Sequence, residues 1–398
     1  MDLRLTEVGE DEILPLRRSL ADFLSPECPL GRFEILPRVA RAANSWYQGA
    51  VSTAGGVMPP WWTANPIIDS NPVVLYRVRH AYYMPRYGVV ISSTGHLFDI
   101  PLRQARYGTP DLTKLPYVAR RGERAYLTPT HDLPTLQRAI VTCPWGAVNN
   151  YGHFLLDCLS SVAAIAKLPA LSGYPTVFPP LHPWQARHLE LVGREGSLQL
   201  QDELYFVDDL VFSSSMATFL HHPNINYRTL KERQLERVGN SDLAFTKIYL
   251  ARQDTTRRPF LTDMQVREEL VQLGYEIIYP ERYSVDEQIN IFTTAEIIIG
   301  CAGAAFANVL YCQRNPKVIE IIPLRMVVPR MVAGTWVYRI CALIGCAWRP
   351  YFCDKSWASE GSADEPAEDR AELDTVFELD LDDFMAHVRN ISNEACAD

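Results

Sequence analysis

The segment Asn149-Asn150-Tyr151-Gly152-His153-Phe154-Leu155-Leu156-Asp157 holds an imidazole and a carboxylate four residues apart. On a helix that spacing puts both side chains on one face. They could share a proton or orient each other as a general base for a hydroxyl, or they could form a structural hydrogen bond behind a capping Asn. A second group is cationic: Arg252, Arg257 and Arg258 stand within seven residues, just after an apolar strand-like run. Guanidinium forks suit phosphate oxygens, although a solvated basic loop carries the same residues. The third is a bend of small residues, Gly300-Cys301-Ala302-Gly303-Ala304-Ala305, followed by Phe306, Ala307 and Asn308. Bare amides at a helix start would admit a diphosphate there, with Asn308 as a further contact or as a cap; tight helix–sheet packing explains the same residues equally. The spacing is neither the dinucleotide GxGxxG pattern nor the P-loop pattern.

Glu320 sits among Val318, Ile319, Ile321 and Ile322. A carboxylate there is expensive to bury without a partner, so either a ribose hydroxyl at the strand end or a nearby Arg is expected. Gln288 is a weaker contact candidate. Asp380-Leu381-Asp382 reads as DxD, a metal-holding pattern in some sugar transferases, but it lies in an acidic tail where a solvated helix is the simpler reading.

The elements that must position these groups alternate over residues 246–322: TKIYLAR, TDMQVREELVQLG, YEIIYP, SVDEQINIFTTA, EIIIG, CAGAAFANVLYC and KVIEIIP. Short apolar runs bounded by turn residues are strands buried on both faces, so the pattern predicts four parallel strands with three helices. Thr262 with Gln265 and Ser284 with Glu287 match capping boxes at two helix starts. In such sheets ligands bind beyond the carboxyl ends of the strands, where the arginine loop and the small-residue bend both fall. Residues 70–140 alternate as strands and hairpins, and a helix is predicted from Asn149 or Asn150 to Leu168. Lys231 to Asp242 is the expected hinge between lobes, 355–375 an acidic linker, and 379–388 the start of a helix docking back on the body. These divide the chain into residues 1–240, 241–355 and 356–398.

At 398 residues two domains are expected. A formal charge of −9 argues against a general nucleic-acid binder. Nine cysteines without paired CxxC spacing read as reduced thiols, and Cys341, Cys346 and Cys353 have no matching His spacing for zinc. MDLRLTEVGEDEI lacks the basic and apolar regions of a signal peptide, and Asn390-Ile391-Ser392 is then a chance triplet. Ile297 to Cys312 is 16 residues and broken by glycines, too short to span a bilayer. A cytoplasmic protein is expected, at most peripheral at the inner face of the membrane; no motif speaks to oligomeric state. Trp61, Trp62, Tyr82 and Tyr83 are candidates for stacking on acceptor sugars, or core residues.

Over roughly residues 70–325 the chain resembles glycosyltransferase family 61, of the capsular polysaccharide biosynthesis type. The likeness rests on NNYGHFLLDCLSSV, KIYLARQDTTRR, GYEIIYPERYSVDEQINIFTTAEIIIG, GAAFAN and KVIEII in that order. It implies a GT-B-like α/β fold with two Rossmann-like lobes facing a cleft, behind a strand-rich N-terminal extension. It further implies inverting transfer from a nucleotide-sugar to a glycan acceptor without an obligatory metal or other cofactor. In that frame Asp157 is the preferred base with His153 orienting a substrate, or the reverse. Arg252, Arg257, Arg258, Gly303, Ala304, Ala305, Asn308, Gln288 and Glu320 face the donor. Ala302 stands where the family has His and Ala305 where it has Gly, so a catalytically silent sugar-nucleotide or glycan-binding scaffold is a competing expectation. A metal-dependent transferase using Asp380 and Asp382 is another.

Overall fold

The computed structural model describes residues 2–36, 39–40, 55–57, 69–70, 72–108, 111–129, 132–194, 197–217, 226–253, 258–326, 336–358 and 375–394. The chain forms two compact units, Met1–Val39 with Asp69–Arg237, and Ala40–Ile68 with Val238–Asp398. A division at 240 assigns Gly55–Gly56 to the first unit, whereas that strand pairs in the sheet of the second.

The first unit is built on a mixed nine-stranded sheet. Thr135–Val141 runs parallel to both Thr176–Phe178 and Tyr205–Ser213, and Thr176–Phe178 continues parallel to the edge strand Leu198–Gln199. The long strand Val73–Met84 then pairs antiparallel with Tyr205–Ser213 along one edge. Its other edge is shared, by Leu30–Leu36 up to Val78 and by Val89–Ser92 from Ala81 onward. His80 lies at the changeover with φ of 57°, a left-handed kink between the two partners. One sheet face buries Val78, Tyr83, Val90, Val141, Val207 and Phe212. The opposite face buries Leu75, Ile140 and Val211 under Phe23, Ile165 and Leu171. Ile165 ends the helical run that carries His153 and Asp157. Strands dominate residues 70–140 as expected, but Asp99–Gly108 is a helix.

The second unit is a parallel sheet in the order Glu276–Ile278, Lys247–Leu250, Ile297–Cys301, Lys317–Pro323, Ala347–Cys353, with Gly55–Gly56 added parallel at the edge. That is the doubly wound order 2-1-3-4-5, and it has one strand more than the 246–322 segment predicts. One face buries Tyr249, Ile299, Ile319 and Ile321 beneath Val266 and Leu270 of the helix Asp263–Gln272 and Phe384, Val388 and Ile391 of Leu381–Asn393. Each such side chain contributes about 1.5–3 kcal/mol by leaving water. On the other face, Ala304–Tyr311 packs against Val285–Thr294 and Trp336–Ile344.

Ser284 and Glu287 form the expected capping box, Ser284 Oγ accepting from the Glu287 amide at 3.3 Å and Glu287 Oε2 accepting from the Ser284 amide at 2.7 Å. Thr262 does not form one. Its hydroxyl instead accepts from the Leu379 amide at 3.2 Å, because the returning C-terminal strand competes for it. The terminal helix is present as Leu381–Asn393. The ends of the acidic stretch are also ordered: Ser356–Ala358 pairs antiparallel with Thr375–Phe377. Around the expected hinge, the helix Asn226–Leu235 runs further than the lapse of apolar period suggests.

Candidate active site

The first candidate group lies on a helix that is not uniform. Tyr151–His153 is α-helical, Phe154–Cys158 is a π turn, and Leu159–Ile165 is α-helical again. Asn150 caps the start, its Oδ1 accepting from the His153 amide at 3.2 Å. A π turn carries one extra residue and breaks the i→i−4 ladder, an arrangement frequent where side chains are re-aimed for function. Buried side chains help satisfy the carbonyls that follow: Ser160 Oγ donates to Leu156 O at 2.6 Å, and Asn226 Nδ2 donates to Ser160 O.

The result is a His–Asp pair, with His153 Nδ1 and Asp157 Oδ2 at 2.7 Å. The His153 side chain is 20% exposed and Asp157 is 0% exposed. Of the two, only His153 meets solvent. With Nδ1–H donating to the carboxylate, Nε2 is the nitrogen left to accept a proton.

Around this pair is an aromatic cluster that the sequence reading missed. The Tyr151 and Phe154 rings lie 5.3 and 5.2 Å from Trp184, and His182 is nearly parallel to Trp184 at 6°. Trp184 belongs to the helix Pro183–Val192, whose Gln185 donates to Ala147 O and Val148 O, each at 3.1 Å. That bond fixes the helix start against the turn leading into Asn149-Asn150. The signal available in sequence was Pro183-Trp184 at a helix start. Of the aromatics proposed instead, Trp61 and Trp62 lie outside the described residues, Tyr83 is fully buried, and Tyr82 packs edge-on to Phe206.

The second candidate group lies at the carboxyl ends of the second unit's strands. Between Lys247–Leu250 and Ile297–Cys301 the connections depart in opposite directions, which opens a crevice in doubly wound sheets. Arg258, with φ of 56°, turns back on that point and donates from Nη1 to Ala302 O at 2.8 Å. Arg252 lies alongside, Nη1 being 3.5 Å from Arg258 O. Both guanidinium groups act on Cys301 at the strand end. Arg257 lies outside the described residues.

The bend itself is open rather than sealed, since Cys301 to Ala305 are all half-buried. Ala304–Tyr311 is a 3-10 helix; the Phe306 amide donates to Gly303 O at 3.1 Å, so the Ala304 and Ala305 amides precede its first internal bond. Asn308 is placed differently from a surface ligand contact. It is fully buried, and its Nδ2 donates to Gln288 Oε1 at 3.0 Å while Gln288 Nε2 donates to Tyr283 O at 3.1 Å. The pair ties two helices together beneath the bend.

Glu320 is 3% exposed and accepts from Trp348 Nε1 at 2.8 Å. Burial pushes its carboxyl up to about 8, opposed by the Trp348 hydrogen bond and the Arg258 charge. At neutral pH it is protonated, which leaves the positive charge of the arginines undiminished at the strand ends. Of the DxD residues, Asp380 Oδ1 caps the terminal helix by accepting from the Asp383 amide at 3.0 Å and Asp382 is exposed, while the neighbouring Asp383 accepts from Tyr351 OH at 2.7 Å. Among the described residues no group of three His, Cys, Asp or Glu side chains is placed to hold a metal ion.

The His–Asp pair of the first unit and the arginines at the strand ends of the second fall within one matched segment. Residues 151–319 match the Glycosyltransferase 61 family model. The match begins at the residue that opens the His153 helix and ends inside the strand that carries Glu320. Over that segment, less than half of the chain, the protein is similar to glycosyltransferase family 61. No curated protein matches the chain. Among the described residues no helix is long and apolar enough to cross a membrane.

Proposed function

We propose that this protein is an inverting glycosyltransferase of GT-B type that moves a sugar from a nucleotide-sugar to a glycan hydroxyl in surface polysaccharide assembly. The observation that carries the donor half is the convergence of Arg252 and Arg258 on the half-open bend at Cys301 to Ala305. Guanidinium groups and amides that precede a helix are aimed where a departing diphosphate gathers charge. The acceptor half rests on the first unit, where aromatic rings beside His153 offer faces for a sugar.

One displacement balances the chemistry. The acceptor oxygen attacks the anomeric carbon, the bond from that carbon to the diphosphate oxygen breaks, and the proton passes to His153 Nε2. A single displacement inverts the anomeric centre. Asp157 orients the imidazole and stabilises it once protonated, which reverses the preferred sequence-based assignment because Asp157 has no exposed surface. Arg252, Arg258 and the amides at the bend would stabilise that charge without calling on Asp380 or Asp382, so chelation is expected to leave transfer unchanged.

Calorimetry with nucleoside diphosphates on the wild type and Arg258→Asn tests the donor half; Asn tolerates the left-handed backbone at 258. At least tenfold weaker binding in the variant is expected, and equal binding overturns the assignment. Ala302 favours a second reading, a scaffold that binds donor without turnover. Ala302→His separates the two: activity gained only in that variant identifies a silenced enzyme.

A further inference from the structure

Beneath the small-residue bend, the helix Ala304–Tyr311 is 3-10 over all 8 of its residues. Such runs are uncommon beyond about four residues, because their hydrogen bonds are poorly aligned. The rise of a 3-10 helix exceeds that of an α-helix by about 0.5 Å per residue, so relaxing this segment to α would move one end against the other by about 4 Å. A form whose own bonds are weak has to be held from outside. Asn308, in the middle of the helix and 0% exposed, supplies such a hold: its Nδ2 donates to Gln288 Oε1 at 3.0 Å, and Gln288 Nε2 donates in turn to Tyr283 O at 3.1 Å. The two bonds run from the helix that follows Ile297–Cys301 to the turn that leads into Val285–Thr294. In the sheet, the loops so joined leave the strands on either side of Lys247–Leu250, the strand that leads to Arg252 and Arg258. Two apolar side chains of the same shape would fill this space at nearly equal stability. What the amides add is a fixed register, since the bonds are lost if the helix slides or relaxes.

We infer that Gln288 and Asn308 are positioning residues for the donor. They keep Ala304–Tyr311 in its 3-10 form, with the Ala304 and Ala305 amides presented to the diphosphate, and do not touch the ligand themselves. The inference rests on the donor reading above. Amides set in place before the ligand arrives need no reorganisation when charge gathers on a departing diphosphate.

Calorimetry on the full chain with uridine, guanosine and thymidine diphosphates identifies the tightest of the three. Asn308→Leu and Gln288→Met each remove one side of the amide pair, and each is expected to weaken that ligand at least tenfold. Combined, they are expected to weaken it little further, because the pair acts as a unit. The urea midpoint of the double variant, by contrast, is expected to recover toward wild type, since both polar partners are gone. A pair that served stability alone would recover binding along with the midpoint. Hydrogen exchange read by mass spectrometry is expected to quicken across 304–311 in the variants while 297–301 stays level. Equal binding by wild type and both single variants, binding that returns in the double variant, or unchanged exchange across 304–311 overturns the proposal. Arg258→Asn tells that failure from failure of the donor reading. If Arg258→Asn alone weakens binding, only the positioning role falls; if it too binds as wild type does, or wild type binds none of the three, the donor assignment falls and this inference with it.

Discussion

At the residue scale, the His153–Asp157 pair makes an unequal prediction for its two members. His153→Ala removes the proposed proton acceptor and is expected to lower kcat by roughly 10²–10⁴ with little change in donor KM, measured by steady-state transfer assays. Asp157→Asn keeps the shape but loses the charge that orients the imidazole, so kcat is expected to fall in the same assays. Glu320 predicts a pH effect on stability. Its folded value of about 8 lies above the ordinary 4.5, so the folded state binds the extra proton. Stability is then full below about pH 4.5 and falls by up to about 1.4 kcal/mol per pH unit until about pH 8. Urea unfolding across that range should show the slope, and Glu320→Gln should flatten it. How far such residues were legible in sequence follows from what each needs. The i, i+4 spacing of His153 and Asp157 was visible. Which of them meets solvent was not, since that depends on the π turn and on how the helix after it is held by Asn226. Asn308 was misplaced for a related reason: a polar residue in a small-residue motif looks like a ligand contact until Gln288 is known to lie opposite it.

At the element scale, two glycines of one bend serve different ends. A Cβ on Gly300 would sit 2.9 Å from Leu250 Cβ and 3.3 Å from Phe306 Cζ, inside packed strand and helix. Gly300→Ala is expected to cost about 1–3 kcal/mol in chemical denaturation. Gly303 has extended backbone, and its Cβ would meet only Cys301 O at 3.4 Å. Gly303→Ala is therefore expected to leave stability within about 0.5 kcal/mol of wild type. Donor KM should nonetheless rise if the diphosphate approaches that backbone. The strand–helix alternation of the second unit was legible because EIIIG and KVIEII are continuous apolar runs bounded by turns. The Thr262 cap was misread because its partner, Leu379, is more than a hundred residues away, and local spacing says nothing of a strand returning from that distance. The helix Asp99–Gly108 was missed because its apolar residues are few and Pro101 lies near its start, where proline is tolerated.

At the scale of the whole molecule, ligand binding should be readable as stability. A nucleoside diphosphate at a hundred times its Kd adds about 2.7 kcal/mol to the state that binds it. Thermal shift across a panel of nucleotides should therefore raise the melting midpoint for one base, and Arg258→Asn should remove the rise. The two-unit plan was expected from length alone, but its true partition was not. A division at one point assumes each body is one stretch of chain, and the placement of Gly55–Gly56 beside Tyr351 and Phe352 breaks that assumption.

That edge strand has a bearing on synthesis. Gly56, with φ of 72° and no room for a Cβ beside Phe352 O, leaves the ribosome about 300 residues ahead of the strand it pairs with. At roughly 5–20 residues per second, the wait is tens of seconds, during which the first body can close before the strand that Gly55–Gly56 pairs with has been made. Translation speed and chaperone occupancy, more than equilibrium stability, would then govern the yield of correctly threaded chains.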